Sequence, residues 1–220
     1  MLFRFSILVV FFAGVALYIA THAIPLPEEI SSRWVKISPE GNPISPWDGP
    51  WGCVYDQQTG LLWEVKTDNE SVHDAQWSYS WFNGATGKPD AGSCLFESAG
   101  CDTLDLIKRT NQRELCGVKD WTLPSASKLS ALLSSQELPG RALIDNRFFP
   151  HIPKGDYWSA DGNLPLENHY KHLGKGAHAI NFENGEKTAL PYRNAAFVIL
   201  VTTEYRFKDF NQQKNIKRRD

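Results

Sequence analysis

The feature that most constrains this chain is an apolar N-terminal segment that precedes all of its cysteines. An uncharged run from Phe5 to Ala20 follows Arg4, and Thr21-His22-Ala23 places small residues where signal peptidase cleaves. We therefore expect residues 1–23 to be a cleaved signal peptide, with an uncleaved inner-membrane anchor as the alternative. In both cases the rest of the chain is exported to the periplasm, the cell surface or the medium.

The four cysteines all follow this segment. An even number of cysteines in an oxidising compartment predicts two disulfides, and four cysteines allow three pairings. The sequence does not choose among them. We favour Cys94–Cys101, which would close a short loop, together with Cys53–Cys116, which would tie a strand to a helical region. A metal site is the weaker alternative because the chain contains no CxxC spacing.

The composition divides the exported part into three stretches. Residues 24–50 are rich in Pro, Ser and Gly, which predicts an extended lead-in with a short strand at Trp34–Ile37. We expect the main domain over residues 51–206 and a polar, basic tail over residues 207–220. The formal net charge of −2 gives no support for a basic nucleic-acid-binding face, so nucleic acid is not an expected partner.

Local patterns within the main domain predict both helices and strands. Two apolar runs flank residues 56–60, as in a β-hairpin, and Asn184-Gly185 indicates a second hairpin. Asp102 precedes one helical pattern, and Ser125 precedes another with leucines at i, i+3 and i+4. The β-branched run "AAFVILVTTEY" is typical of a buried strand. These elements predict an α+β fold.

The stretch "LCGVKDWTLPSAS" joins the two predicted helices. Pro124 disfavours a helical conformation in the residue before it, which keeps residues 121–123 extended. Ser125 is a good helix N-cap. We interpret Trp121 as a buried ring that holds this junction in place rather than as a platform for a ligand.

Five motifs occur along the chain in a characteristic order. They are "TGLLWE" from Thr59, "CDT" from Cys101, "LCGVKDWTLP" from Leu115, "YWS" from Tyr157 and "AHAINFENG" from Ala177. Over about residues 52–203 they resemble the Lcl C-terminal domain family, named for the C-terminal domain of the Legionella collagen-like protein. The resemblance implies a C-type-lectin-like α+β fold, with two short helices packed on small antiparallel sheets and long loops. It also implies a bacterial envelope or secreted setting and, as in the best-known member, adhesion to sulfated polysaccharides.

Three positions depart from the family's usual pattern. Thr122 stands where members carry an arginine, and Lys128 stands where they carry the glutamate of a helix capping box. A lysine there places a positive charge at the positive end of the helix dipole. Ile199 and Thr202 replace two arginines of the last strand. An anion-binding role of those arginines therefore does not transfer to this chain.

Two groups of side chains are candidates for binding a ligand. In an extended "WSYSWF" segment, Trp77, Tyr79 and Trp81 would share one face, which is either a ligand platform or part of the core. The second group is basic: residues of the segment from His169 to His178, together with Arg141 and Arg147 of an earlier loop, could form a modest patch for an anionic ligand. Its members are Arg141, Arg147, Lys171 and Lys175. The cluster Lys214, Lys217, Arg218 and Arg219 in the tail is a further candidate, although a solvated tail explains it equally well.

Metal and catalytic chemistry have little support in the sequence. His169, His172 and His178 fit no standard zinc spacing, and the lysines between them would repel a cation. The Glu-Pro-Asn and Gln-Pro-Asp triplets of calcium-dependent lectins do not occur. We therefore predict no cofactor and no metal ligand, with calcium left open. No serine has nucleophile-elbow glycines around it, and no catalytic residue is assigned.

These inferences lead to one principal hypothesis and two alternatives. The chain is expected to be an exported, non-catalytic recognition domain of the adhesion type. Its partner would be a polysaccharide, with sulfated or acidic ones included, or a protein of the bacterial envelope. The alternatives are a membrane-anchored periplasmic accessory subunit of a larger assembly and, third, an enzyme with unrecognised chemistry.

Overall fold

Antiparallel pairing joins the strands into two small sheets. The structure is a computed structural model, and it describes residues 33–94, 100–134 and 139–207. The predicted signal peptide and residues 208–220 of the predicted tail lie outside the described residues.

The first sheet contains the hairpin predicted around residues 56–60. Its strand order is β1-β2-β3-β8, and the strands are β1 (Trp34–Ile37), β2 (Cys53–Asp56), β3 (Leu61–Glu64) and β8 (Val201–Thr202). Gly60 ends the turn with a positive φ of 72°, a conformation that favours glycine. The predicted strand at Trp34–Ile37 is confirmed, and it pairs with β2. Residues 33–50 are therefore part of the folded domain and not only a lead-in to it.

The second sheet is built around one long strand. Its strands are β4 (Asp156–Trp158), β5 (Leu164–Pro165), β6 (Lys175–Asn181) and β7 (Lys187–Pro191). Strand β6 pairs with each of the other three, always antiparallel. The predicted hairpin at Asn184-Gly185 connects β6 to β7, with Gly185 at a φ of 77°.

Two α-helices follow β3 and precede β4 along the described residues, α1 (Thr103–Gln112) and α2 (Ala126–Leu132). Both begin at the predicted caps, where the Asp102 side chain accepts from Asp105 N and the Ser125 side chain accepts from Lys128 N. Helix α2 lacks the usual capping-box glutamate. A carboxylate from elsewhere in the chain stands in, because Asp161 Oδ2 accepts a hydrogen bond of 3.0 Å from Ala126 N. A negative charge at this end stabilises a helix.

The junction between the helices is closed by Trp121. Its ring is fully buried, as predicted, and its indole N–H donates to Leu115 O at 3.1 Å. Asn111 at the end of α1 accepts from Trp121 N at 2.7 Å and donates to Trp121 O at 3.1 Å. The next residue, Thr122, pairs with Val201 of β8 through two backbone hydrogen bonds. Trp121 and Thr122 thus connect α1 to the first sheet, directly before α2.

Both favoured disulfides are present. Cys53–Cys116 ties β2 to a 3-10 turn at Leu115–Gly117, and Cys94–Cys101 closes a short loop before α1. All four sulfur-bearing residues are buried. Covalent links of this kind stabilise a domain mainly by restricting its unfolded chain.

The predicted C-terminal strand is buried but forms only a short ladder. Residues 198–202 are all buried, yet only Val201–Thr202 is a strand. One reason is Glu64, a fully buried carboxylate that accepts from Leu200 N at 2.9 Å. A side-chain oxygen therefore takes the place that a neighbouring strand carbonyl would occupy.

The observed architecture is an α+β fold with short helices, small antiparallel sheets and two disulfides. Two apolar clusters form the core, one around Trp81, Trp121 and Trp158 and the other around Trp34, Trp63 and Phe149. The kinship with C-type lectins stays a prediction. Within the described ranges, no helix combines the length and the apolar character that a membrane crossing requires.

Candidate functional site

The aromatic segment nominated as a ligand platform is largely interior. Tyr79 is 0% exposed and Trp81 is 3% exposed. The Trp81 indole donates to Ser159 O at 2.8 Å and stacks on Tyr192 with ring centroids 4.9 Å apart. This burial contradicts a ligand-stacking role for Tyr79 and Trp81, and it assigns both rings to the core.

Trp77 differs from its two neighbours because it is only half-buried. It lines a small groove of about 330 Å³ whose other members include Asp68, Glu70 and Asp74. The Asp74 carboxylate accepts hydrogen bonds from the backbone N–H groups of Glu70 and Gln76. The surroundings of Trp77 are acidic, which disfavours an anionic ligand there. Its role in ligand binding stays a prediction.

A larger groove of about 640 Å³ lies on one face of the second sheet. Leu164 pairs directly with Gly176, and His178 pairs with Ala189. Because side chains alternate along a strand and directly paired residues share a face, these residues and Lys187 point the same way. We call this hollow the sheet-face groove.

The core explains why this face is open at one end. On the opposite face, Ala177, Ala179 and Leu190 belong to the first apolar cluster. On the groove face, Ile180 is buried in the second cluster, and α2 packs against β6. The cover that this cluster provides therefore ends between Ile180 and His178, and His178 is only half-buried.

A 3-10 turn at Asn168–Leu173 forms the outer wall of the sheet-face groove. Asn168, His169 and Tyr170 contribute to its lining. Tyr170 and Leu173 are each 40% exposed and are among the few large hydrophobic side chains that face water. Near the start of β6, Leu166 packs over Gly176 so closely that a Cβ on this glycine would lie 2.7 Å from Leu166 Cδ2.

The lining of the sheet-face groove carries charges of both signs. Glu167 and Glu186 contribute carboxylates, Lys187 contributes an ammonium group, and His169 and His178 contribute imidazoles. Burial and the neighbouring Lys187 lower the pKa of His178 below its ordinary value, with Asp161 acting in the opposite direction. Such a lining offers hydrogen-bond donors and acceptors beside one exposed aromatic ring.

The four predicted basic residues do not line this groove. Lys171 is exposed on the 3-10 turn next to Tyr170. Lys175 lies one residue before Gly176, so its side chain leaves the opposite face of β6, and its ammonium group binds Asn163 Oδ1 at 2.7 Å. Arg141 is exposed on another loop, and Arg147 is exposed there with an ion pair of 2.9 Å to Asp145. A shared anion-binding role for these four residues stays a prediction.

Among the described residues, no group of three or more His, Cys, Asp or Glu side chains is placed to hold a metal ion. His169 and His178 line the sheet-face groove, whereas His172 of the same turn does not.

The sequence contained a partial signal for the sheet-face groove. It singled out the segment from His169 to His178, but it missed Leu164, Tyr170 and Lys187. A single tyrosine and a single lysine form no sequence pattern from which a binding role could be predicted. The groove exists only because β5, the turn and β7 meet around β6.

Fold and site together define a disulfide-linked α+β domain with an open, mixed-charge groove on one sheet. The sequence model of the Lcl C-terminal domain matches residues 52–202, which is more than half of the chain. The chain therefore belongs to the Lcl C-terminal domain family, and this membership favours an envelope-associated domain. No curated protein and no solved structure matches it.

Proposed function

We propose that this protein is an exported, non-catalytic recognition domain that binds a polysaccharide in the sheet-face groove. The observation that carries the proposal is the combination of the exposed Tyr170 ring with an open, polar lining in one concave surface. Ligand sites commonly pair an aromatic surface with a few polar groups that fix orientation. A sugar presents both an apolar ring face and several hydroxyl groups, so it matches such a lining.

The groups around the Tyr170 ring suit hydroxyl recognition. Asn168 carries a side-chain amide that donates and accepts, and Glu167 and Glu186 accept only. Lys171 at the outer end of the wall would reach acidic substituents of a chain longer than the groove. Membership of the family supports an envelope setting for this ligand.

A glycan panel with two matched variants tests the proposal. Tyr170→Ala should weaken polysaccharide binding by about tenfold, the effect of losing one aromatic contact. Trp47→Ala is the control, because Trp47 is 71% exposed yet does not line the sheet-face groove. Equal losses in the two variants, or no glycan bound by the unaltered chain, would overturn the proposal.

A protein partner is the second candidate, and Trp47 is the observation that favours it. Its ring is the most exposed of the three large hydrophobic side chains that face water in the described residues. Tryptophan is enriched at the energetic centre of protein interfaces. In this case Trp47→Ala, and not Tyr170→Ala, would abolish co-purification with an envelope assembly.

A further inference from the structure

Two histidines lie on different elements around the sheet-face groove. His169 is on the 3-10 turn, and His178 is on β6. The fixed charges of the same lining are the carboxylates of Glu167 and Glu186 and the ammonium group of Lys187. With both imidazoles neutral, the lining therefore has a net negative charge. With both protonated, its net charge is positive.

We propose that the sheet-face groove is a pH-dependent site, in which protonation of His169 and His178 reverses the charge of the lining and admits an anionic substituent of the polysaccharide. This inference rests on the proposed function, since it concerns the ligand of the same groove. A neutral imidazole donates one hydrogen bond, whereas an imidazolium donates two and carries a charge. Protonation thus adds hydrogen-bond donors. It also offsets the negative charge of the two glutamates, which would otherwise repel an anionic ligand.

The groups around His178 are consistent with this switch. Burial and Lys187 on the paired strand lower its pKa, and Asp161 opposes them. Burial and Lys187 therefore favour the neutral imidazole of His178, and acidification shifts the balance towards the imidazolium. The other charged or titratable groups on the elements packed around β6 are Lys128 of α2, Asp156 and Tyr157 of β4, and Tyr170, Lys171 and His172 of the turn.

Reciprocity gives the proposal a second signature. If protonation favours an anion, then the anion must favour protonation to the same extent. The unaltered protein should therefore take up protons when it binds a polyanion in mild acid. Calorimetry in two buffers of different ionisation enthalpy measures this uptake and does not depend on any variant.

Dextran sulfate is the probe, because its sulfates stay ionised throughout this range, and neutral dextran is its control. At constant salt, binding by the whole exported chain should be about tenfold tighter near pH 5 than near pH 8. In the double variant His169→Gln and His178→Gln the difference should fall below about twofold. His172→Gln should keep it, since His172 shares the turn but does not line the groove.

The outcomes separate this inference from the proposed function. Equal binding at both pH values, no proton uptake, or a pH response that survives in the double variant would overturn the switch and leave polysaccharide binding standing. Absence of binding to dextran sulfate and to every glycan at either pH would overturn both. Melting curves of each variant at both pH values check that the fold is intact.

Discussion

Two aromatic segments of this domain, residues 77–82 and residues 168–173, have opposite environments. Tyr79 and Trp81 of the first are buried, whereas Tyr170 of the second is 40% exposed. The first segment bonds to distant parts of the chain, with Tyr79 N donating to Ala196 O and the Trp81 indole to Ser159 O. The second bonds locally, as from Tyr170 N to Glu167 O. In these two segments, aromatic side chains are buried where the segment bonds to distant parts of the chain and exposed where it bonds only to its neighbours. The presence of aromatic rings alone does not decide their exposure.

Alanine substitution in the two segments should give the largest contrast. Trp81→Ala removes a buried ring with a hydrogen bond and a stacked partner, and it should lower the free energy of unfolding by about 3–5 kcal/mol. Tyr170→Ala should change the free energy of unfolding by less than about 0.5 kcal/mol, because its ring adds little to the core. Denaturant unfolding of the oxidised protein measures both. Comparable losses in the two variants would show that the turn is as integral to the core as the buried segment.

The sequence predicted helix and turn positions well where residues close in the chain determine them. The caps at Asp102 and Ser125 and the turns at Gly60 and Gly185 lie where the sequence placed them. Partners supplied from far along the chain were not predictable. Asp161 at the start of α2 is one such partner, since it lies 35 residues from the helix that it caps.

The interior and the sheet-face groove also differ in their titratable groups, which are a buried carboxylate, Glu64, in the interior and the histidine His178 in the groove. Burial opposes ionisation of Glu64, but the charges and hydrogen bonds of Lys66 and His73 outweigh it and lower the Glu64 pKa from 4.5 to about 2. Lys66 Nζ lies 2.9 Å and His73 Nδ1 lies 2.8 Å from Glu64 Oε1. Charged partners thus lower the pKa of the buried Glu64 by stabilising its carboxylate, whereas burial and Lys187 lower the pKa of His178 in the groove by disfavouring its imidazolium.

Acid unfolding should reveal the Glu64 contribution. Because its folded pKa is depressed, the stabilisation is complete above about pH 4.5 and is lost as the pH falls towards about 2. We expect a loss of roughly 3 kcal/mol over this window. The measurement is denaturant unfolding at a series of pH values, compared with Glu64→Gln, which should lower stability at neutral pH and flatten the profile. Glu183→Gln, in an exposed ion pair with Lys154, should leave the profile unchanged. A wild-type profile that is flat down to about pH 2.5 would contradict this account.

The sequence could not locate the site for a related reason. Alternation correctly placed Trp77, Tyr79 and Trp81 along an extended segment, but alternation does not say which face meets solvent. The basic residues were grouped because they lie in predicted loops, but Lys175 lies on β6, and the pleat of this strand sends its side chain away from the face that carries His178. A groove defined by three strands and a turn depends on strand register, which a single sequence specifies only weakly.

A finer contrast exists between two tryptophans of the interior. Trp158 and Trp63 are both buried, at 0% and 1% exposure. The Trp158 indole N–H donates to Tyr79 O at 2.6 Å, which links the second sheet to the buried aromatic segment. The Trp63 indole nitrogen has no hydrogen-bond partner within the described part of the chain. Burying a donor without a partner costs free energy. The apolar contacts of the second cluster therefore have to offset this cost for the Trp63 ring.

Phenylalanine substitution of the two tryptophans should lower the free energy of unfolding by slightly different amounts. Trp158→Phe and Trp63→Phe each remove a similar volume, so the cavity contribution is nearly common to both. The difference between them then measures the Trp158 hydrogen bond, and Trp158→Phe should cost about 1 kcal/mol more. Denaturant midpoints at equal slope provide the measurement. If Trp63→Phe proved the more costly of the two, its indole N–H must find a partner in the folded protein, and the account of the second cluster as a purely apolar core would be wrong.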